Sequence, residues 1–243
     1  PPAHVMIYRY KSNESKIYKY WNAPNKDYSS NNVDESKLLD KLEGLLEESV
    51  GKQLMADVSV GVLLSGGVDS SLLTAIASKI SNNVKTFTIG FPGHDGFDET
   101  EHARLVAQHF KTEHIELKAD DISVELLHDL VKQYDEPISD SSMLPTYLVS
   151  KLVKEHCTVA LGGDGADELF GGYPHYNRLL WLDNKTKYIP MFFRKSVSNA
   201  LLFLLPTGFK GRNWIQALKI DFKKTAPLIG IFFDLKTRKS LLS

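Results

Sequence analysis

The run from Asp57 to Ile80, DVSVGVLLSGGVDSSLLTAIASKI, constrains the fold of this chain more than any other stretch. Val58 to Leu64 is apolar and rich in β-branched residues, and Ser65-Gly66-Gly67-Val68-Asp69-Ser70 is a turn of small residues. The remainder has a helical period that places Leu72, Leu73, Ile76, Ala77 and Ile80 on one face. This order reads as strand, loop, helix. Backbone N–H groups at the start of that helix are unpaired and sit at the positive end of its dipole, where an anion can bind. Gly66 and Gly67 let the backbone close around phosphate oxygens, and Ser65, Ser70 and Ser71 add hydroxyl donors. Asp69 would repel a phosphate unless it holds a divalent cation that bridges to it. The Walker loop is excluded, since no Gly-Lys-[Ser/Thr] closes the turn. The plain alternative is a helix N-terminus with an ordinary Ser/Asp cap.

The string SGGVDSS after an apolar strand resembles the pyrophosphate-binding loop of the ATP pyrophosphatases, which use ATP to adenylate a substrate. In chain order, residues 1–21 are expected to form two short strands around Lys11-Ser12-Asn13-Glu14, and Asn22 to Asn32 a linker. Asp34 caps a helix with the stripe Leu39, Leu42, Leu46, Val50. A second strand covers Val84–Ile89, and Asp98 with Glu101 has the pattern of a capping box for a helix to Phe110. His114–Leu117 is a third strand. A helix after Asp121 presents Ile122, Leu126, Leu127, Leu130, Val131 and Tyr134 and is broken by Asp135-Glu136-Pro137. A helix over about Leu144–His156 leads to a fourth strand, Thr158–Leu161. Beyond Tyr173 the pattern is helical, with a stripe Phe193, Val197, Ala200, Leu201, Leu204, a break at Pro206-Thr207-Gly208 and an apolar segment Trp214, Ile215, Leu218. The alternation implies an α/β fold, a doubly wound, mostly parallel sheet with a helical C-terminal extension. Ligands of such sheets lie beyond the carboxyl ends of the strands, here among the loops 65–70, 90–98 and 162–172.

Composition narrows the choice. With 243 residues, 42% hydrophobic, and a net charge of -1, the chain is ordinary for a soluble domain and has no basic run suited to nucleic acid. The C-terminal Lys219, Lys223, Lys224, Lys236, Arg238 and Lys239 are interleaved with apolar residues, as on a solvated helix face. The single cysteine, Cys157, excludes an internal disulfide framework and suits the reducing cytoplasm. Val197 to Leu205 is too short to span a bilayer. His94, His102, His109 and His114 lack the spacing of a helical zinc pair. Starting at Pro1 and ending at Ser243, the chain reads as a fragment of something longer.

A second glycine-rich turn follows the fourth strand. Thr158–Tyr173, TVALGGDGADELFGGY, carries Asp164, Asp167 and Glu168, which would repel one another unless cations are near. Together with FTIGF, DETEHARLVAQHF, TEH and DEPISDSSMLPTYLVSKL, the two turns closely resemble the synthetase half of glutamine-dependent asparagine synthetases, in order and spacing over about residues 50–180. The resemblance implies an adenine nucleotide alpha-hydrolase-like fold in which residues 1–32 lead in from a glutaminase domain. Residues 33–180 would form the ATP pyrophosphatase domain and 181–243 a truncated helical extension.

It also implies roles. Ser65, Gly66, Gly67, Asp69, Ser70 and Ser71 would hold the pyrophosphate part of ATP, Leu63 and Ile89 would contact adenine, and Gly163 would lie near ribose. Asp69 and Asp167 would bind Mg²⁺, Asp164 would lie by the acyl-adenylate, and Glu168 would support the loop or the metal shell. The implied reaction is amidation of aspartate through β-aspartyl-AMP, with ammonia from glutamine made in another domain. A homodimer is one assembly open to it. Gly162 stands where the family usually has serine, Asp164 where some members have glutamate, and Ser59 replaces a common proline. Neither the family's N-terminal cysteine nor its later lysine can be matched, so the fragment is expected to bind ATP–Mg²⁺ weakly and turn over poorly. Tyr173, Tyr176 and Arg178 follow the acidic loop, where contact with substrate and packing under the loop are equally open, and Asp135, Glu136, Ser141 and Ser142 fall in a family string that could line the site, without individual roles. Alternatives are an ATP-dependent amidotransferase acting on another acid, such as a sugar acid, and a nucleotide-binding module that does no chemistry.

Overall fold

The computed structural model describes residues 1–22, 34–90, 98–118, 124–134, 140, 142–206 and 209–221. Much of the linker from Asn22 to Asn32, the loop from Phe91 to Phe97 with His94, Ile122, and Asp135-Glu136-Pro137 lie outside them. So do Ser141, Thr207-Gly208, Lys223, Lys224, Lys236, Arg238 and Lys239. Two strands, β1 (His4–Arg9) and β2 (Glu14–Lys19), form an antiparallel hairpin in register from His4↔Lys19 to Arg9↔Glu14. Asn13 turns the chain at φ 53°, and its side-chain oxygen accepts a hydrogen bond from Tyr8 Oη at 2.6 Å.

Helix α1 (Glu35–Leu54) begins as expected, with Asp34 accepting from Ser36 N at 3.1 Å. Only the C-terminal half of its stripe is covered. Leu39 is exposed, whereas Val50 is buried and Leu46 and Leu54 pack beside it. Then come β3 (Val60–Leu63), α2 (Val68–Ile80), β4 (Lys85–Gly90), α3 (Thr100–Phe110), β5 (Glu113–Lys118), α4 (Val124–Gln133), α5 (Met143–Val153) and β6 (Val159–Leu161). The strands form one parallel sheet in the order β5-β4-β3-β6. The order reverses beside β3, which has β4 on one edge and β6 on the other. That is the switch point where a crevice opens.

Alternation along the strands sends successive side chains to opposite faces. Val62 joins Val50, Ile76, Ala77 and Val84 under α1 and α2, and Leu64 joins Ala103 and Ala107 of α3. On the other face Phe87 packs with Leu117, Val153 and Cys157 under α5. The sheet is thus covered on both sides, the doubly wound arrangement expected. Each fully buried Val, Leu or Phe contributes about 1.5–3 kcal/mol. Gly61 has no side chain because the Phe87 ring occupies its place: a Cβ there would lie 2.3 Å from Phe87 Cε2 and 3.1 Å from Cys157 Sγ.

Several helix faces differ from the periodic reading. On α2, Leu72 and Ile80 are exposed while Ser70 and Thr74 are buried. Thr74 Oγ1 donates to Ser70 O at 2.8 Å, which lets a hydroxyl be buried without losing a hydrogen bond. On α3, Asp98 accepts from Thr100 N at 3.0 Å and Thr100 Oγ1 at 2.7 Å, so a short Asx-type link replaces the capping box and the helix starts two residues later. On α4, Leu130 is buried but Leu127 and Val131 are exposed.

The C-terminal part is helical: α6 (Ala166–Phe170), α7 (Pro174–Thr186), α8 (Met191–Leu204) and α9 (Arg212–Ala217). The apolar stripe of α8 points outward, and the packed side is the one that carries Met191, Arg194, Ser198 and Leu202. Ser198 Oγ donates to Ile215 O at 2.7 Å, and the buried Arg212 guanidinium donates to the carbonyls of Leu202 at 2.9 Å and Leu205 at 2.5 Å. Arg212 thereby satisfies the carbonyls that the end of α8 leaves open. No helix among the described residues is long and apolar enough to cross a membrane.

Candidate functional site

A cleft of about 520 Å³, within the usual range for small-molecule sites, opens at the carboxyl ends of β3, β4 and β6. Of the residues expected to form a site, Leu63, Ser65, Gly67, Asp69, Ser70, Ile89, Gly163, Asp164 and Asp167 all line it. Gly66 and Ser71 do not. Gly66 turns the chain at φ 81° against α3, where a Cβ would meet His102 Cβ at 2.6 Å and Ala103 N at 2.8 Å. Ser71 Oγ is buried without a hydrogen-bond partner, on the packed side of α2 rather than in the cleft.

The loop between β3 and α2 is tied by its own hydroxyls. Ser70 Oγ accepts from Ser65 N at 3.2 Å and lies 3.1 Å from Ser65 Oγ, while Gly67 N donates to Ser65 Oγ at 3.3 Å. The serines therefore shape the turn and fill part of its donor capacity internally. At Gly67, the N-cap of α2, no side chain caps the helix. The first-turn amides thus have no side-chain acceptor and face the region where an anion is favoured.

The second turn, after β6, reaches the first at one point. A Cβ on Gly163 would stand 3.0 Å from Asp69 Cβ and 3.2 Å from Ser70 N, so backbone meets backbone there. This contact brings Asp69 and Asp167, far apart in sequence, to one cleft. In the same turn a Cβ on Gly162 would lie 2.7 Å from Asp164 Oδ2, so the Asp164 carboxylate folds over the strand end. Gly165 and Gly171 sit at φ 90° and 71°, entering and leaving the single helical turn α6.

Tyr173 Oη donates to Glu168 Oε1 at 2.7 Å, and both residues line the cleft. The neighbouring carboxylate pushes the Tyr173 phenol up to about 12, and the hydrogen bond holds the Glu168 carboxyl below the usual range. The sequence names both residues, Glu168 for the loop or a metal shell and Tyr173 for substrate contact or packing, but does not pair them. The apolar wall of Phe87, Leu117 and Val149, together with Thr88 and Glu99, was missed altogether. For Leu117 the available signal was its position near the carboxyl end of β5; Phe87 in the middle of β4 and Val149 on α5 carried none.

Among the described residues no group of three or more His, Cys, Asp or Glu side chains converges on a point that could hold a metal ion. His102 and His109 lie on α3 and His114 on β5, away from the cleft lining, and Cys157 is buried in the core with its thiol pushed up by burial.

The asparagine synthase family matches residues 41–229. A putative glutamine-hydrolysing asparagine synthetase of Methanocaldococcus jannaschii is 39% identical over 171 residues, 69% of this chain and 32% of its own length. A glutamine-hydrolysing asparagine synthetase of Bacillus subtilis is 34% identical over 185 residues, 76% of this chain and 29% of its own. A putative one from Mycobacterium tuberculosis is 36% identical over 178 residues, 73% and 27% respectively. The chain thus spans about a quarter to a third of the length of these relatives.

Proposed function

Since the chain belongs to the asparagine synthase family, we propose that its cleft binds ATP and that the full-length protein uses it to convert aspartate to asparagine. The observation that carries this reading is the seam at Gly163, which sets both glycine-bearing turns around one opening at the switch point. In this reading residues 1–32 connect to a glutamine-hydrolysing domain of the full-length protein, which supplies ammonia in the cytoplasm.

Leu63 and Ile89 contact the adenine over the apolar wall, Gly163 lies at the ribose, and the uncapped amides of α2 with Ser65 and Ser70 receive the pyrophosphate part. The aspartate side-chain carboxylate attacks the α-phosphorus and pyrophosphate leaves, giving β-aspartyl-AMP. Ammonia then attacks the acyl carbon, AMP departs, and asparagine is released after loss of a proton. A carboxylate is a poor electrophile because its leaving group would be oxide; adenylation replaces that group with AMP. The chain's contribution is to hold the carboxylate in line with phosphorus and to place N–H dipoles where charge grows on the leaving pyrophosphate.

Asp69 and Asp167, both on the cleft wall, are of the donor type Mg²⁺ takes, and phosphate oxygens and water would complete its shell. When bound, Mg²⁺ supplies charge neutralisation at the phosphates. Asp164 stands at the acyl side of the cleft.

Pyrophosphate–ATP exchange by the full-length protein, measured with a panel of carboxylic acids, tests the reading. Exchange that depends on aspartate is expected. Exchange only with another acid, such as a sugar acid, sinks the aspartate assignment, and no exchange with any acid sinks the adenylation itself. Asp69→Asn is expected to abolish exchange with the melting temperature unchanged.

A further inference from the structure

Three glycines around the acidic turn have no conformational need to be glycine. Gly162, Gly163 and Gly172 all lie outside the left-handed region, unlike Gly165 and Gly171. What they lack is room. Gly163 is filled by the backbone of the first turn, and Gly162 by the Asp164 carboxylate.

Gly172 is the tightest. A Cβ there would lie 1.9 Å from Asp167 Oδ1, 3.0 Å from Asp167 Cγ and 3.3 Å from Asp167 Cα. The Asp167 carboxylate therefore occupies the volume that any other residue at 172 would claim. The backbone enforces this closeness, because Gly172 N donates to Asp167 O at 3.1 Å where α6 ends. Asp167 is fixed at the start of α6, and Gly172 follows its end, so neither can retreat without undoing the turn.

We propose that Gly172 is a positioning residue: its missing side chain is the seat that holds the Asp167 carboxylate at the rim of the cleft in the direction a nucleotide-bound cation requires. This rests on the ATP–Mg²⁺ reading above. A methyl group at 172 has to displace the carboxylate, because Asp167 Oδ1 is the atom it would overlap and the Asp167 backbone, at 3.3 Å, already has little slack. Displacing a metal-supporting group by such a contact typically weakens metal affinity by about 10- to 100-fold.

The test is a cycle of Gly172→Ala, Asp167→Ala and the double variant in the full-length protein, with two readouts. The first is Mg²⁺ titration of the fluorescence of N-methylanthraniloyl-ATP bound to each protein. Gly172→Ala is expected to raise the half-saturating Mg²⁺ concentration by about tenfold, with the Mg²⁺-free affinity unchanged. In the Asp167→Ala background the same substitution is expected to add nothing. The second readout is the melting temperature, which needs no nucleotide. Gly172→Ala should lower it, and Asp167→Ala should restore it by vacating the contested space.

An unchanged Mg²⁺ dependence in Gly172→Ala overturns the proposal, as does a melting or Mg²⁺ penalty that persists without the Asp167 carboxylate. Should Gly172→Ala fail to fold, rescue of folding in the double variant decides for the seat, and continued failure decides against it. A wild-type protein that binds the nucleotide with no Mg²⁺ dependence, while the melting cycle behaves as expected, removes the metal reading and leaves only a packing contact.

Discussion

At the scale of single residues, the glycines of this chain divide by what they do. Gly66 is required twice over, by φ 81° and by the His102 and Ala103 atoms that crowd its absent side chain. Gly66→Ala combines a strained backbone with overpacking, so it is expected to cost about 2 kcal/mol or more in urea unfolding. An unaltered midpoint would show that the turn relaxes. Tyr173 offers a second test. Its phenol, raised to about 12 chiefly by the hydrogen bond to Glu168, should ionise nearer the ordinary 10.0 in Glu168→Gln, because the carboxylate charge is gone. Absorbance titration of the protein against its Tyr173→Phe variant isolates this one group, and an unmoved transition refutes the pairing. The turn at 65–70 was legible in sequence because Gly-Gly with small polar residues after an apolar strand is a local pattern. The seating of Asp164 and Asp167 over Gly162 and Gly172 was not, since it depends on rotamers that only the folded turn selects.

At the scale of elements, α3 and β5 form a small polar seam. Arg104 pairs with Glu116 through Nε–Oε1 at 2.6 Å and Nη2–Oε2 at 2.9 Å, and His114 Nδ1 lies 2.9 Å from Thr86 Oγ1, itself 2.8 Å from Thr112 Oγ1. His114 Nε2 is buried without a partner, and burial pushes the imidazole below its ordinary 6.5. The folded state therefore prefers neutral His114. Its contribution is present above pH 6.5 and is lost as pH falls through the lowered value. Melting temperatures from pH 7.5 to 5 should fall less steeply in His114→Gln than in the wild type; equal slopes would exclude His114 as the source. Apart from α6, which the glycines around it disguise as a turn, strands and helices here were read correctly in type because hydrophobic period and turn residues are local. Their buried faces were read less well. Period shows that a helix has an apolar side, but Leu72, Val131 and Phe193 face outward because the neighbour that would cover them is not encoded in spacing.

At the scale of the whole molecule, α8 presents Phe192, Phe193, Phe203 and Leu204 to solvent at 80%, 61%, 87% and 74% exposure. Large apolar side chains left open at both ends of one helix favour association. Phe192→Lys combined with Phe203→Lys is expected to reduce self-association of this chain in sedimentation without lowering its melting temperature, and unchanged sedimentation would show the face is inert. The parallel sheet and the position of the cleft followed from alternation of strands and helices, since both obey general packing rules. The order β5-β4-β3-β6 has its own consequence for synthesis on the ribosome. The first three strands emerge as neighbours and can assemble early, but β3 waits with one unpaired edge until Val159–Leu161 have been translated. Through that interval the nascent polypeptide offers a template for mispairing with another chain, and the turn that will close the far side of the cleft has yet to be made.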